Sequence, residues 1–128
     1  MNNSVDKYYV PSIEEFRIGF EYEGFVNGIW NKFPIDDVYQ LRKIPYTSIE
    51  HNDGRVRVKH LDIEDIESFG FELLSEDDYF SPNGYNIYIG NVITKGIVEI
   101  YAEGVCFMGV IKNKSELRKI LEQVKYYG

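Results

Sequence analysis

Two periods in the hydrophobic pattern predict most of the elements. From Gly84 onward the apolar residues first alternate with polar ones and then recur at helical spacing. Residues 85–93, 97–102 and 105–111 read as three strands of an antiparallel meander, and 114–124 as the helix that closes it. In the middle strand Val98, Ile100 and Ala102 share one face, and Ile97, Glu99 and Tyr101 the other. Glu103-Gly104 predicts a two-residue hairpin loop that sets Ala102 opposite Val105, Tyr101 opposite Cys106 and Ile100 opposite Phe107. Residues 105–111 have no polar side chain on either face, which predicts a strand covered on both sides. Left as an edge it would invite aggregation, so 16–22 or 55–61 is expected to pair with it. In the closing helix Asn113 and Glu116 have capping-box spacing, and Leu117, Ile120, Leu121 and Val124 form one apolar stripe.

Upstream the pattern is shorter-ranged. Ser12-Ile13-Glu14-Glu15 predicts a single helical turn. Phe16, Ile18, Phe20 and Tyr22 alternate with Arg17, Gly19, Glu21 and Glu23, as in a half-buried strand. Residues 25–33, which hold Trp30, read as a loop or short strand with the indole capping the core. Residues 34–43 place acids early and bases late, suiting a short helix and its dipole. Residues 46–50 and 55–61 flank His51-Asn52-Asp53-Gly54 and read as a second hairpin. Residues 62–68 read as a short helix with Asp62 as cap, Ile63 and Ile66 inward and Gly70 just past its end. Ser81-Pro82-Asn83-Gly84 is a turn. The expected fold is α+β: a mainly antiparallel sheet, a C-terminal helix on one face and short helices in the connections. At 128 residues it is expected as a single domain, 1–128, with residues 1–7 frayed.

Three blocks carry a resemblance. Tyr9-Val10-Pro11-Ser12-Ile13-Glu14-Glu15-Phe16 with Gly19-Phe20-Glu21-Tyr22-Glu23 is the first. Arg55-Val56-Arg57-Val58-Lys59 with Leu61-Asp62 and Glu64-Asp65-Ile66-Glu67-Ser68 is the second, and the run from Gly109 to Leu117 the third. Together they cover about half the chain and resemble a group of small uncharacterised phage and prophage proteins. The resemblance implies a viral origin and expression in a bacterial cytoplasm, and it carries no catalytic residues.

Charge narrows the function classes. The net charge is −7 with a pI near 4.8, which disfavours general nucleic-acid binding through phosphates. No Lys or Arg lies between His60 and Thr94, whereas residues 105–128 hold five bases and two acids. The acidic middle, with Glu72, Glu76, Asp77 and Asp78 as its candidate contacts, suits a basic surface on a partner protein, and the phage resemblance implies a host protein, such as one of a defence system that the binding would inhibit. Its plain alternative is a solvated face. Arg55, Arg57 and Lys59 share one strand face and, with Trp30, form the alternative candidate: a site sequestering a small anion such as a signalling nucleotide. Against it, Glu21 and Glu23 stand at matching positions for cross-strand ion pairs. Tyr8, Tyr9, Tyr126 and Tyr127 offer a patch for self-association.

Chemistry for catalysis is sparse. His51 and His60 lack further ligands at metal spacing, Ser75-Glu76-Asp77-Asp78 lacks calcium-loop spacing, and no cofactor motif is present. Cys106 has no neighbouring base to activate it, and one cysteine suits a reducing compartment. No apolar run reaches the roughly 18 residues of a membrane span, and the first residues lack a signal-peptide core. A small hydrolase or nuclease built on clustered carboxylates is the least favoured class, and no catalytic residue is assigned.

Overall fold

The computed structural model describes residues 7–75, 78–89 and 97–126. Two antiparallel sheets, short helices and a C-terminal helix make it an α+β protein. The chain divides into two compact units, Met1–His60 and Leu61–Gly128, each with its own buried cluster. No helix among the described residues is long and apolar enough to cross a membrane.

The first unit is a four-stranded sheet of order β1-β4-β2-β3, formed by β1 (Tyr8–Tyr9), β2 (Glu21–Val26), β3 (Ile29–Pro34) and β4 (Val56–Lys59). A 3₁₀ turn at Ile13–Glu15 carries the expected capping box, in which the Ser12 amide donates to Glu15 Oε2 at 2.8 Å. The strand expected over 16–22 does not form. Gly19 takes φ +95° and the Phe20 amide closes a turn onto the Arg17 carbonyl, so the strand starts only at Glu21. Three of its four apolar side chains still converge: Phe16 packs edge-on to Phe20 and Tyr22, with ring centres 5.1 and 5.3 Å apart, while Ile18 is exposed. The span 25–33, expected as a loop or short strand, is a full hairpin. Asn27 and Gly28, at φ +53° and +80°, make the two-residue turn whose twist matches the strands.

Two short helices follow. Asp37 caps α1 (Val38–Arg42), its carboxylate accepting from the Gln40 amide at 2.9 Å. The second hairpin is also corrected, because 46–51 is helical: α2 (Tyr46–His51) starts at Pro45, whose carbonyl accepts from the Ser48 and Ile49 amides. Proline supplies no ladder donor, and only Ile49 on this stretch is buried, so one helical turn satisfies both backbone and side chain. Asn52 ends it at φ +50°. Strand β4 then pairs with β1 and β2, burying Val56 and Val58 beside Phe20, Ile35, Ile44 and Ile49.

The second unit begins with α3 (Ile63–Ser68), where Asp62 and Asp65 form a reciprocal capping box. Ile66 is fully buried, but Ile63 is 54% exposed and does not face inward. Among the described residues five strands follow as a meander, each paired with the next: β5 (Glu72–Ser75), β6 (Asp78–Phe80), β7 (Asn86–Ile89), β8 (Ile97–Tyr101) and β9 (Val105–Val110). Two of them, β5 and β6, come from the acidic stretch that carried no strand signal. Ile100 opposes Phe107 as expected, but Tyr101 opposes Val105, so a bulge lengthens the loop by one residue. Helix α4 (Lys114–Gln123) covers one face, with Leu117 and Leu121 packed among Ile66, Phe71, Ile87 and Ile100. Asn113 caps it, accepting from the Glu116 amide at 2.8 Å, while the Glu116 carboxylate accepts from the Lys112 amide.

Strand β9 corrects a further expectation. It pairs with β8 alone and ends the sheet, and no described strand lies on its other edge. Val105, Met108 and Val110 are 57%, 61% and 60% exposed. Neither proposed neighbour is free to pair: 16–20 is not a strand, and β4 is flanked on both edges. The terminal tyrosines differ as well. Tyr126 belongs to the core, its hydroxyl donating to the Phe69 carbonyl at 2.5 Å, and Tyr9 packs against the other cluster. Tyr127 and residues 1–6 lie outside the described residues.

Candidate functional site

Alternation along the meander sorts its side chains into two faces. Tyr79, Ile87, Val98 and Ile100 point into the core, so their neighbours in the strands point away from it. Register then aligns Asp78, Tyr88, Glu99 and Met108 as one row across four strands. Asn86 and Tyr101 oppose each other in the next row. Asp78, Asn86, Tyr88, Glu99 and Tyr101 line a shallow cavity of about 450 Å³ on this open face. The Tyr101 hydroxyl donates to Glu99 Oε1. That bond, with partial desolvation and the Glu99 charge, holds the Tyr101 phenol above its ordinary pKa. The phenol therefore stays neutral beside the carboxylate and serves as its donor.

Of the four acids singled out from the sequence, Asp78 belongs to this cavity. Glu72 is exposed in β5, opposite Phe80. Glu76 and Asp77 lie outside the described residues. Glu99 was not among the candidates. Its signal was there, a single acid between buried Val98 and Ile100 on a strand, but only the register sets it in one row with Asp78, with Tyr88 between them.

The basic row is distributed differently from an open anion site. The Arg57 guanidinium makes two 2.8 Å contacts to Glu23 Oε1. Its carbon sits 3.6 Å from the Tyr8 ring centre and 4.0 Å from that of Trp30. Arg57 is thus held by a cross-strand carboxylate and stacked on two aromatic rings, a structural use of its charge. Trp30, expected to cap the core, lies in β3 as part of that stack. Lys59 donates to the His60 carbonyl at 3.2 Å. Arg55 lines a separate cavity with Tyr22, Phe33 and Lys43.

Other reactive groups sit apart from one another. His60 is exposed with its ring 4.8 Å from that of Tyr9, His51 is exposed at the end of α2, and Cys106 is exposed on the edge strand. Among the described residues no three His, Cys, Asp or Glu side chains are grouped to hold a metal ion. Compared with protein-family models, curated proteins and solved structures, the chain matches none of them.

Proposed function

We propose that the protein acts by binding rather than by turnover, and that the open acidic face of the meander receives the Lys and Arg side chains of a partner protein. One observation supports this above the rest: Asp78 and Glu99 stand in the same row, in a cavity walled by tyrosines and Asn86. Two carboxylates with aromatic walls suit a cationic side chain, through charge and through the ring faces. The resemblance to phage and prophage proteins makes a host protein of the bacterial cytoplasm the partner class, and blocking its action the expected outcome. The nucleotide-sequestering alternative has less support, since Arg57 at the centre of the basic row is already paired with Glu23.

The test is kinetic. A partner captured from bacterial lysate is measured against the parent and against Asp78→Lys/Glu99→Lys and Glu72→Lys/Glu76→Lys/Asp77→Lys variants. Association should slow in both, most in the first, and its dependence on salt should flatten, because steering is screened over about 8–10 Å at physiological ionic strength. Equal association rates for parent and variants, or hydrolysis of a nucleotide or nucleic acid by the purified protein, would overturn the proposal.

A further inference from the structure

The first unit holds a cavity of about 380 Å³ beside its β2–β3 hairpin. Its wall is aromatic and aliphatic: Tyr22, Phe25, Val26, Phe33 and Pro45 contribute to it. Gly24 is what allows the wall to form. A β-carbon there would come within 2.9 Å of the Phe33 ring, whereas glycine lets that ring stack on Tyr22 with centres 5.4 Å apart. The polar contributors are Ser48, Lys43 and Arg55, and no acid is among the lining residues.

Three features of the lining are unspent. Tyr22 is only 7% exposed, yet its hydroxyl has no hydrogen-bond partner among the described residues. Buried hydroxyls are satisfied in the large majority of cases, and an orphan one calls for a partner. Burial also raises the Tyr22 phenol pKa, so the group is a neutral donor. The Arg55 guanidinium, unlike that of Arg57, has no carboxylate partner among the described residues. Lys43 has its ammonium 4.3 Å from the Tyr39 ring centre, a contact that leaves its donors open to an anion.

We infer that this cavity binds a small amphipathic anion, an aromatic or short acyl body carrying one carboxylate, phosphate or sulfonate group. The body lies against Phe33, Val26 and Pro45, and Arg55 and Lys43 hold the charged head. The hydroxyls of Tyr22 and Ser48 supply the remaining donors. The volume falls within the roughly 300–1,000 Å³ of small-molecule sites, toward the lower end, so a single ring fits better than a dinucleotide. This site is independent of the acidic face, and either can fail without the other.

The experiment uses the full chain, with 4-ethylbenzoate and phenyl phosphate as anionic probes and 4-ethylbenzyl alcohol as the neutral match. Binding is read by calorimetry and by amide shifts in ¹H–¹⁵N spectra. Both anions should bind with Kd below about 1 mM, a reasonable efficiency for eleven or so heavy atoms. The shifts should centre on Gly24, Val26 and Ser48, and the alcohol should bind at least about tenfold more weakly. Arg55→Ala/Lys43→Ala should lose at least about tenfold in anion affinity with an unchanged circular dichroism spectrum, and Arg55→Lys should recover part of it. Tyr22→Phe should weaken the anions while leaving the alcohol's binding unchanged. Equal binding of acid and alcohol, shifts centred elsewhere, or full affinity in the double alanine variant would each overturn the assignment.

Discussion

Lys125 adopts φ +63°, and the end of α4 is built around it. The Tyr126 amide donates to the Leu121 carbonyl at 2.8 Å and the Lys125 amide to that of Glu122 at 3.1 Å, the two bonds of a Schellman cap. Tyr126 and Leu121 both lie in the buried cluster, which completes the motif. A side chain at that φ is strained, so Lys125→Gly should stabilise the protein by about 0.5–1 kcal/mol in chemical denaturation. An unchanged midpoint would show that the strain is relieved elsewhere. Tyr101 supports a prediction in pH. Its raised pKa means that the native state favours the protonated phenol, so its contribution to stability is complete below the unfolded value near 10 and is lost as pH rises through the native one. Glu99→Gln should therefore move one phenolate transition to lower pH, read as ultraviolet absorbance against Tyr101→Phe. No movement would separate the two side chains in solution. Residues of this kind differ in how far they can be read in advance. Asn113 as a cap was legible from spacing, whereas the isolation of the Tyr22 hydroxyl depends on every neighbour that folding brings to it.

Elements were legible where a local signal sufficed. The caps at Asp62 and Asn113 located α3 and α4, and Gly104 located the last hairpin to within one residue of register. The failures have separate causes. At 46–50 the strand expectation rested on the turn residues 51–54 alone, and Pro45 opens a helix that Asn52 ends instead. The pattern over 16–22 reported burial correctly at Phe20 and Tyr22 but not backbone, because Gly19 turns the chain between them. Asn27-Gly28 is a strong hairpin signal, which makes 25–33 two paired strands rather than a loop or a single short one. Strands β5 and β6 are short and acidic, and are held by pairing, β6 with β7 and β5 with β6, rather than by their own propensity. At this scale Asn113→Ala should cost about 1 kcal/mol, the ordinary worth of an N-cap, and Leu117→Ala about 2–5 kcal/mol, since its side chain is fully buried. Thermal melts unchanged by Leu117→Ala would mean that the apolar stripe of α4 does not face the sheet.

At the scale of the molecule, charge is divided unevenly between the two units. The first holds eight Lys and Arg against nine Asp and Glu, the second six against twelve. The acidic character was legible as composition. Its concentration after His60 was legible too, whereas the alignment of Asp78 and Glu99 in one row, on either side of Tyr88, became visible only through the register of the meander. The units also differ in how far apart their paired strands lie in sequence. Every strand of the second unit pairs with the next one along the chain. In the first, Tyr8 and Tyr9 pair with Lys59 and Val58, about 50 residues away. Pulse-labelled hydrogen exchange during refolding should protect the amides of Ile87 and Ile100 before that of Tyr9, because local pairings close first.

That distant pairing also matters during synthesis. A ribosome adding about 5–20 residues per second exposes Tyr8-Tyr9 roughly 3–10 s before Val58 exists to receive it. Through that interval the segment is open to proteases and chaperones, and β1 joins its sheet last although it was made first.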